Sequence, residues 1–373
     1  MSDEITTPPA PSFLPGLRLS ALLYAEAVKP LLARYLPHLK YAAGLLGSGS
    51  EVLGFDTVRS TDHHWGPRLQ LFVSPDDEQR HRQEIYDVLA QHLPHSLHGY
   101  PTNFGAPDAV GVRLMELVTD GPINHRVTVT NVRAFFKGEF GFDLPESLTP
   151  IDWLLMPEQR LRTFTAGAVY RDDLGKLKQL RTALHYYPHD IWLYLMAVQW
   201  RRISQEDAFV GRTGEVGDNV GSRLVAARLV NDLMRLCFLM ERQYAPYAKW
   251  FGAAFSRLRC AVELTPVFSA VLGASTWQER EEHLSRAYSL VASKHNGLGI
   301  TAPLDTRVSP FHTRPFLVIQ AGTFRDAIRE GIEDEEVRRL PADVGSVDQF
   351  TNSTDVLSYP AILNRLRSIY ALS

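Results

Sequence analysis

Residues 45–67 read LLGSGSEVLGFDTVRSTDHHWGP. An apolar run from Tyr41 to Leu46 enters as a buried strand, a Gly/Ser turn covers Gly47 to Ser50, and an acidic and imidazole cluster follows at Asp62, His63 and His64. Glycines at 44, 47 and 49 let the backbone turn tightly and present bare N–H groups to an anion, and Ser48 and Ser50 add hydroxyl donors. Asp62 and His64 stand two apart, so on a strand their side chains share one face while His63 and Trp65 point the other way. The stretch reads as an active-site hairpin in which two metal-capable groups face whatever the glycine turn holds.

Outward from this stretch, composition sets the class. At 373 residues the chain exceeds the usual single core, so two domains are the default. A hydrophobic content of 45% and a charged content of 22% are those of an ordinary globular protein. A net charge of −3 argues against a dedicated nucleic-acid surface. Cys237 and Cys260, the only two cysteines, sit in apolar helix-like stretches, which excludes a disulfide framework or a zinc ribbon and fits a reducing cytoplasm. The N-terminal MSDEITTPPAPSF lacks the basic and apolar regions of a signal peptide. No run approaches the roughly 18 apolar residues of a membrane helix. A soluble, cytoplasmic protein without a membrane partner is expected.

Along the chain, residues 1–15 read as a flexible tail on their proline and threonine content. Helical spacing runs from Leu17 to Leu36 and ends at Pro37; Leu69–Val73 is a compact strand, and Ser74 or Asp76 caps a helix over Glu78–Gln91. His92, His95 and His98 follow in a solvated loop. Val110–Val118 and Arg126–Val132 alternate as paired strands joined across Asp120-Gly121-Pro122. Residues 16–148 thus form an α+β domain, a mixed sheet with helices. Residues 149–373 carry long amphipathic segments (Ile151–Thr165, Asp173–Tyr186, Ile191–Gln205, Ser222–Glu241, Tyr247–Leu264, Trp277–His295), which predict a C-terminal α-helical bundle domain. Phe316–Gln320 reads as a strand or extended piece, and Thr351–Leu372 as a final helix.

Gly47-Ser48, thirteen residues and then Asp62-x-His64 resemble the signature of the DNA polymerase β-like nucleotidyltransferases, in which Gly-Ser precedes a strand carrying Asp-x-Asp or Asp-x-Glu. The longer wording GSGSEVLGFD…DHHWGPRLQLF, with HYYPHDIW, GRTGEVGDNVGSRL and APYAKW downstream, is similar to a bacterial family of unknown function whose N-terminal half is nucleotidyltransferase-like. The two-domain layout also resembles that of antibiotic nucleotidyltransferases. The resemblance implies transfer of a nucleoside monophosphate from a nucleoside triphosphate, ATP first, to a hydroxyl of an unidentified acceptor: a small molecule, a protein or RNA. Magnesium or manganese is the implied cofactor, with Asp62 and His64 as catalytic and metal residues and Gly47, Ser48 and Gly49 on the phosphates. The alternative is a nucleotide-binding protein of the same fold without catalysis.

His64 stands where the superfamily has its second carboxylate. Imidazole suits manganese, zinc or cobalt better than magnesium, or it contacts phosphate when protonated. A third carboxylate belongs on a later strand; RVTVTNV has none, and Glu116 is the nearest candidate. In the helical half the resemblance implies an acceptor pocket and a lysine for the triphosphate. Lys249 is the candidate lysine, reading equally as a snorkelling surface residue, and Arg212 and Arg223 are candidate anion contacts. Glu206, Asp218 and Tyr187 are candidates for the acceptor pocket. Asp218 or Asn219 serves equally as a helix cap, and Tyr187 as core. The glycines at 211, 214, 217 and 221 are costly to order without a reason.

Overall fold

The structure, a computed structural model, describes residues 12–371 apart from the side chain of Asp62. The chain divides into two compact units, Met1–Leu144 with Thr163–His185, and Pro145–Arg162 with Tyr186–Ser373. The sequence placed one boundary at 148. The chain instead returns to its first unit for residues 163–185, because these supply the fourth strand of its sheet.

The first unit opens with α1 (Gly16–Leu22), a π-helical turn (Leu23–Val28) and α2 (Lys29–Tyr35) in unbroken succession. Pro30 has no N–H for the helical ladder there, and the helix stops before Pro37. Next come β1 (Ala42–Leu45), β2 (Arg68–Phe72) and α3 (Pro75–His92), whose first turn is capped by Ser74 Oγ accepting from Asp77 N at 3.1 Å. A two-residue ladder pairs β3 (Ser96–Leu97) with β4 (Tyr100–Pro101), and β5 (Arg126–Thr130) leads into α4 (Val132–Phe140). After α5 (Pro150–Leu155) and α6 (Glu158–Thr165), β6 (Ala168–Asp172) and α7 (Lys176–Ala183) complete the unit. The sheet order is β5-β2-β1-β6; β2 and β5 are parallel, and β1 is antiparallel to both its neighbours.

Strand alternation sorts the side chains. Leu69, Leu71, Val127 and Val129 join Leu19, Leu23 and Val28 of the N-terminal helix and Ile85 and Leu89 of α3 in the main core. Arg68, Gln70, Arg126 and Thr128 therefore take the opposite face. There a smaller cluster of Ala42, Leu46, Phe72 and Leu177 packs with Phe135.

Two expectations fail in this unit. Val110–Val118 is not a strand: a single bridge joins Phe104 to Met115, and Asp108 Oδ1 accepts from both Val110 N (2.9 Å) and Val112 N (2.8 Å), folding the segment into a turn. Its apolar residues Val110, Leu114 and Leu117 face solvent. The flexible tail fails at its end, since Phe13 stacks on Trp65 at 5.8 Å and Leu14 N donates to Tyr100 Oη at 3.0 Å. The rest of that segment, residues 1–11, lies outside the described residues.

The second unit is helical around α8 (His189–Glu206), in which every residue from Ile191 to Trp200 is buried. It contains α9 (Phe209–Glu215), α10 (Asn219–Met240), α11 (Ala248–Phe255), α12 (Ala261–Gly273), α13 (Trp277–Asn296) and α14 (Ala321–Glu330), with α10 and α14 packed on α8. The helix expected over Tyr247–Leu264 breaks into α11 and α12. The expected final helix is three short pieces, Thr354–Ser358, Pro360–Arg365 and a 3₁₀ turn Leu366–Ala371, divided where Pro360 offers no N–H. Leu317–Val318 pairs with Ser309–Pro310. Among the described residues no helix is long and apolar enough to cross a membrane.

Candidate functional site

The turn after β1 is fixed before it reaches its glycines. Leu46 N donates to Gln70 Oε1 at 2.9 Å, and Gln70 Nε2 donates back to Leu46 O at 3.1 Å. Gly47, at φ 79°, donates its N–H to Thr163 O at 3.0 Å, so one of the amides expected to face an anion is already committed. Gly49 has φ 144°, and a Cβ there would lie 2.6 Å from Glu51 Oε2 and 2.7 Å from Arg68 Nη2. The turn therefore wraps an ion pair. Arg68 bonds to Glu51, whose side chain is 4% exposed, and donates to Ser48 O at 3.2 Å. Ser48 itself is exposed.

Beyond it, a 3₁₀ turn spans Val58–Asp62, held by a capping box between Thr57 and Ser60. Asp62 closes this turn, His63 is extended, and His64 takes the left-handed region at φ 53°. Asp62 and His64 are thus not on a strand, so the strand alternation expected to align them does not apply; β2 begins only at Arg68. Trp65 explains the difference. It is buried against Phe13 and Tyr100, and its Nε1 donates to Asp56 Oδ2 at 3.1 Å, an oxygen that also accepts from Gly16 N at 2.7 Å. Gly66 is pressed by Phe104 and Met115, with a Cβ 2.8 Å from each. The carboxylate of Asp62 lies outside the described residues.

His64 is half-buried, its N–H donates to Arg113 O at 3.2 Å, and its Nδ1 has no hydrogen-bond partner among the described residues. Burial lowers its pKa, and the charges of Arg126 and Arg68 lower it further. Arg126 stands opposite Arg68 in the parallel β2–β5 register and lies over the Phe104 ring at 5.6 Å. Its own charge is disfavoured by burial and then by Arg68 and Arg113. Neither Arg113 nor Arg126 has a carboxylate partner among the described residues. Two guanidiniums, Arg126 and Arg68, therefore act on one imidazole beside the glycine turn, and the charge of Arg113 acts in turn on Arg126; the sequence reading did not name the three as a set. The one sequence signal is that both parallel strands begin with arginine.

Such a field suits an anion. Arg126 and Arg68 repel a divalent cation on the His64 ring as they repel a proton, and Asp108 opposes them. Glu116 is exposed in the 102–125 loop and off the sheet. Among the described residues no group of three His, Cys, Asp or Glu side chains assembles. His92 stacks on Tyr35, His95 bonds to Gly121 O and His98 pairs with Glu26, three separate partners.

In the second unit the expected residues scatter. Arg212 lies in the last turn of α9, over Phe209 at 5.5 Å, and Lys249 in the first turn of α11, over Trp250 at 5.0 Å; both are exposed. Near one end of α10, Ser222 Oγ donates to Val210 O of α9; near the other, Phe238 packs on Phe251 of α11. These anchors are sixteen residues apart, about 24 Å along a helix, more than one triphosphate spans. Glu206 is held bidentately by Arg228 at 2.9 Å, and Asp218 caps α10 by accepting from Gly221 N at 2.7 Å. Tyr187 is 3% exposed among Trp153, Tyr186 and Tyr244, just before α8, whereas Glu206 ends that helix about 27 Å away. Tyr187 and Glu206 do not share a pocket. The glycine run has a packing reason: a Cβ on Gly211 would come 2.4 Å from Phe316, and one on Gly214 2.2 Å from Trp277.

This unit also buries acids that sequence reasoning missed. Glu158 accepts from Ala245 N at 2.7 Å and lies 3.7 Å from Arg235, and Asp348 accepts from Glu158 N at 2.9 Å. Burial and then the Asp348 carboxylate push Glu158 up, and burial pushes Asp348 up. Asp207 is pushed up to about 7 by burial.

Fold and site together define a mixed α and β protein with an arginine cluster beside a glycine turn. Residues 153–251, which include Glu158, Arg235 and Lys249, match the model of a domain of unknown function, DUF4037. No curated protein matches the chain. Among solved structures it is similar to a nucleotidyltransferase-like protein from Exiguobacterium sibiricum 255-15, at 11% identity and a TM-score of 0.31, over 77% of this chain and 82% of that one.

Proposed function

We propose that the first unit binds the phosphates of a nucleoside triphosphate, ATP first, and that the protein transfers the nucleoside monophosphate to a hydroxyl acceptor. One observation supports this above the others: beside the turn at 47–51 the charges of Arg126 and Arg68 act on His64 and those of Arg68 and Arg113 act on Arg126, and Arg113 and Arg126 have no carboxylate partner among the described residues. Nucleotidyl transfer depends on positioning and charge neutralisation more than on covalent chemistry. Guanidiniums match phosphate oxygens bidentately. In this reading Arg113 and Arg126 hold phosphate oxygens, Arg68 holds the turn through Ser48 and Glu51, and His64 contacts phosphate rather than metal. Magnesium or manganese would be held by Asp62 with the substrate phosphates, and supplies neutralisation of charge on the transferring group. Lys249 and Arg212 have no part in it.

The test is the full chain with ATP and magnesium or manganese. Pyrophosphate release that Asp62→Ala abolishes is expected. Arg126→Ala is expected to weaken binding of inorganic tripolyphosphate by about ten- to a hundredfold, the range of a lost charge-assisted hydrogen bond. Unchanged tripolyphosphate affinity in that variant overturns the phosphate site. The second reading, a nucleotide-binding protein without turnover, is favoured by the excess of positive charge at His64, where Arg126 and Arg68 outweigh Asp108. It stands if ATP binds and no pyrophosphate appears with either metal.

A further inference from the structure

A groove of about 880 Å³ runs beside the arginine cluster, between α3 and the outer edge of β5, lined by Arg82, Tyr86, Arg113, Asn124, Arg126 and Thr128 among others. We infer that this groove takes the nucleoside of the triphosphate, with the ring of Tyr86 as its stacking surface. The inference rests on the phosphate reading above.

Helix α3 runs back along β5. Asn131 Nδ2, just after β5, donates to Glu78 Oε2 at 2.6 Å in the first turn of α3, and His125, just before β5, bonds through Nε2 to Tyr86 O at 3.1 Å. Tyr86 therefore stands level with the arginine end of the strand. His125 is a fixed support: Val127 N donates to its Nδ1 at 3.1 Å, so Nε2 carries the proton and donates to Tyr86 O, and burial lowers the pKa of the ring. The Tyr86 ring lies 4.6 Å from the His125 ring, its hydroxyl donates to Asn124 Oδ1 at 3.4 Å, and it is nonetheless 38% exposed. An aromatic residue held from behind and open to a polar groove is a platform for a base.

Arg113 and Arg126 both line the groove, and Arg126 also acts on His64. A ligand whose phosphates they hold has its remainder directed along the groove, whose volume falls within the usual range of small-molecule sites. Among the described residues no strand pairs with β5 on this side, so its backbone edge and Thr128 leave polar groups for a ribose or a base edge.

Calorimetric titration of the full chain with α,β-methylene ATP and, separately, with inorganic tripolyphosphate tests this. Tyr86→Ala and Tyr86→Leu, the second keeping apolar volume on α3, are expected to weaken the nucleotide by about five- to a hundredfold, the range of one base–aromatic stack. Both should leave tripolyphosphate affinity unchanged, and Tyr86→Phe should bind both ligands as the parent does. Nucleotide affinity that survives in either folded variant overturns the inference, as does an equal loss for both ligands. If the parent chain binds neither ligand, the phosphate reading fails and this one with it. Binding of tripolyphosphate with no effect of Tyr86 on the nucleotide removes only the nucleoside groove.

Discussion

Two sets of buried charges, one in each unit, solve the same problem in opposite ways. Around Glu158 the second unit gathers carboxylates and answers them from within the chain, with Arg235 at 3.7 Å and the amides of Ala245 and Glu158 as donors. Around His64 the first unit gathers guanidiniums, and among the described residues Arg113 and Arg126 receive no carboxylate. Leaving charge half-buried and uncompensated costs free energy in either place. One set is satisfied within the chain, and the other is left open among the described residues.

The largest expected effect breaks the satisfied side. Arg235→Met removes the cation that acts on both Glu158 and Asp348, leaving Arg162 to act on Glu158 alone, and is expected to destabilise the fold by about 3–5 kcal/mol, seen as a fall in melting temperature, while the folded fraction binds tripolyphosphate as before. An unchanged melting temperature would erase the contrast. Asp207 gives a second measure, through its pH dependence. Its folded pKa of about 7 lies above the unfolded value near 4, so the folded chain holds an extra proton between the two. Stability from this group is fully present below pH 4 and is lost as pH rises through 7. Asp207→Asn is therefore expected to stabilise the protein by on the order of 3 kcal/mol above pH 7 and not at pH 4, read from melting temperature against pH. The smallest effect sharpens the open side. His64, with its pKa lowered, is neutral at pH 7 and gains charge only in acid, so His64→Gln should change tripolyphosphate affinity by less than about threefold at neutral pH. As the pH falls into acid the parent should bind progressively more tightly than the variant. Parallel affinity curves from pH 5 to 8 would remove His64 from the phosphate site.

Much of this was legible in the sequence where one period dominates. The N-terminal helix, α3, α8, α10 and α13 announce themselves by apolar spacing, and Ser74 caps where its position before Pro75 suggests. Asp62-x-His64 misled because alternation over three residues does not make a strand; the buried Trp65 and the squeezed Gly66 decide the backbone there. Strand β6 was hidden for another reason. It is five half-buried residues with no alternation, and its partner β1 lies more than a hundred positions earlier. The arginine cluster was invisible as a set because Arg68, Arg113 and Arg126 come together only through parallel pairing of β2 and β5 and a loop without regular structure. The glycines of the GRTGEVGDNVG run suggested a pocket, and Phe316 and Trp277 show that two of them make room for rings.

The late arrival of β6 has a consequence for the order in which the protein is made. When residue 148 has left the ribosome, β1 still lacks its partner on one side, and the Gly47 amide still lacks the Thr163 carbonyl that will hold it. The nascent first unit carries an open strand edge until synthesis passes residue 185, an interval of a few seconds in which that edge is exposed to other chains. A shortened product ending at 148 would remain in that state, with its glycine turn unbraced and its sheet unfinished.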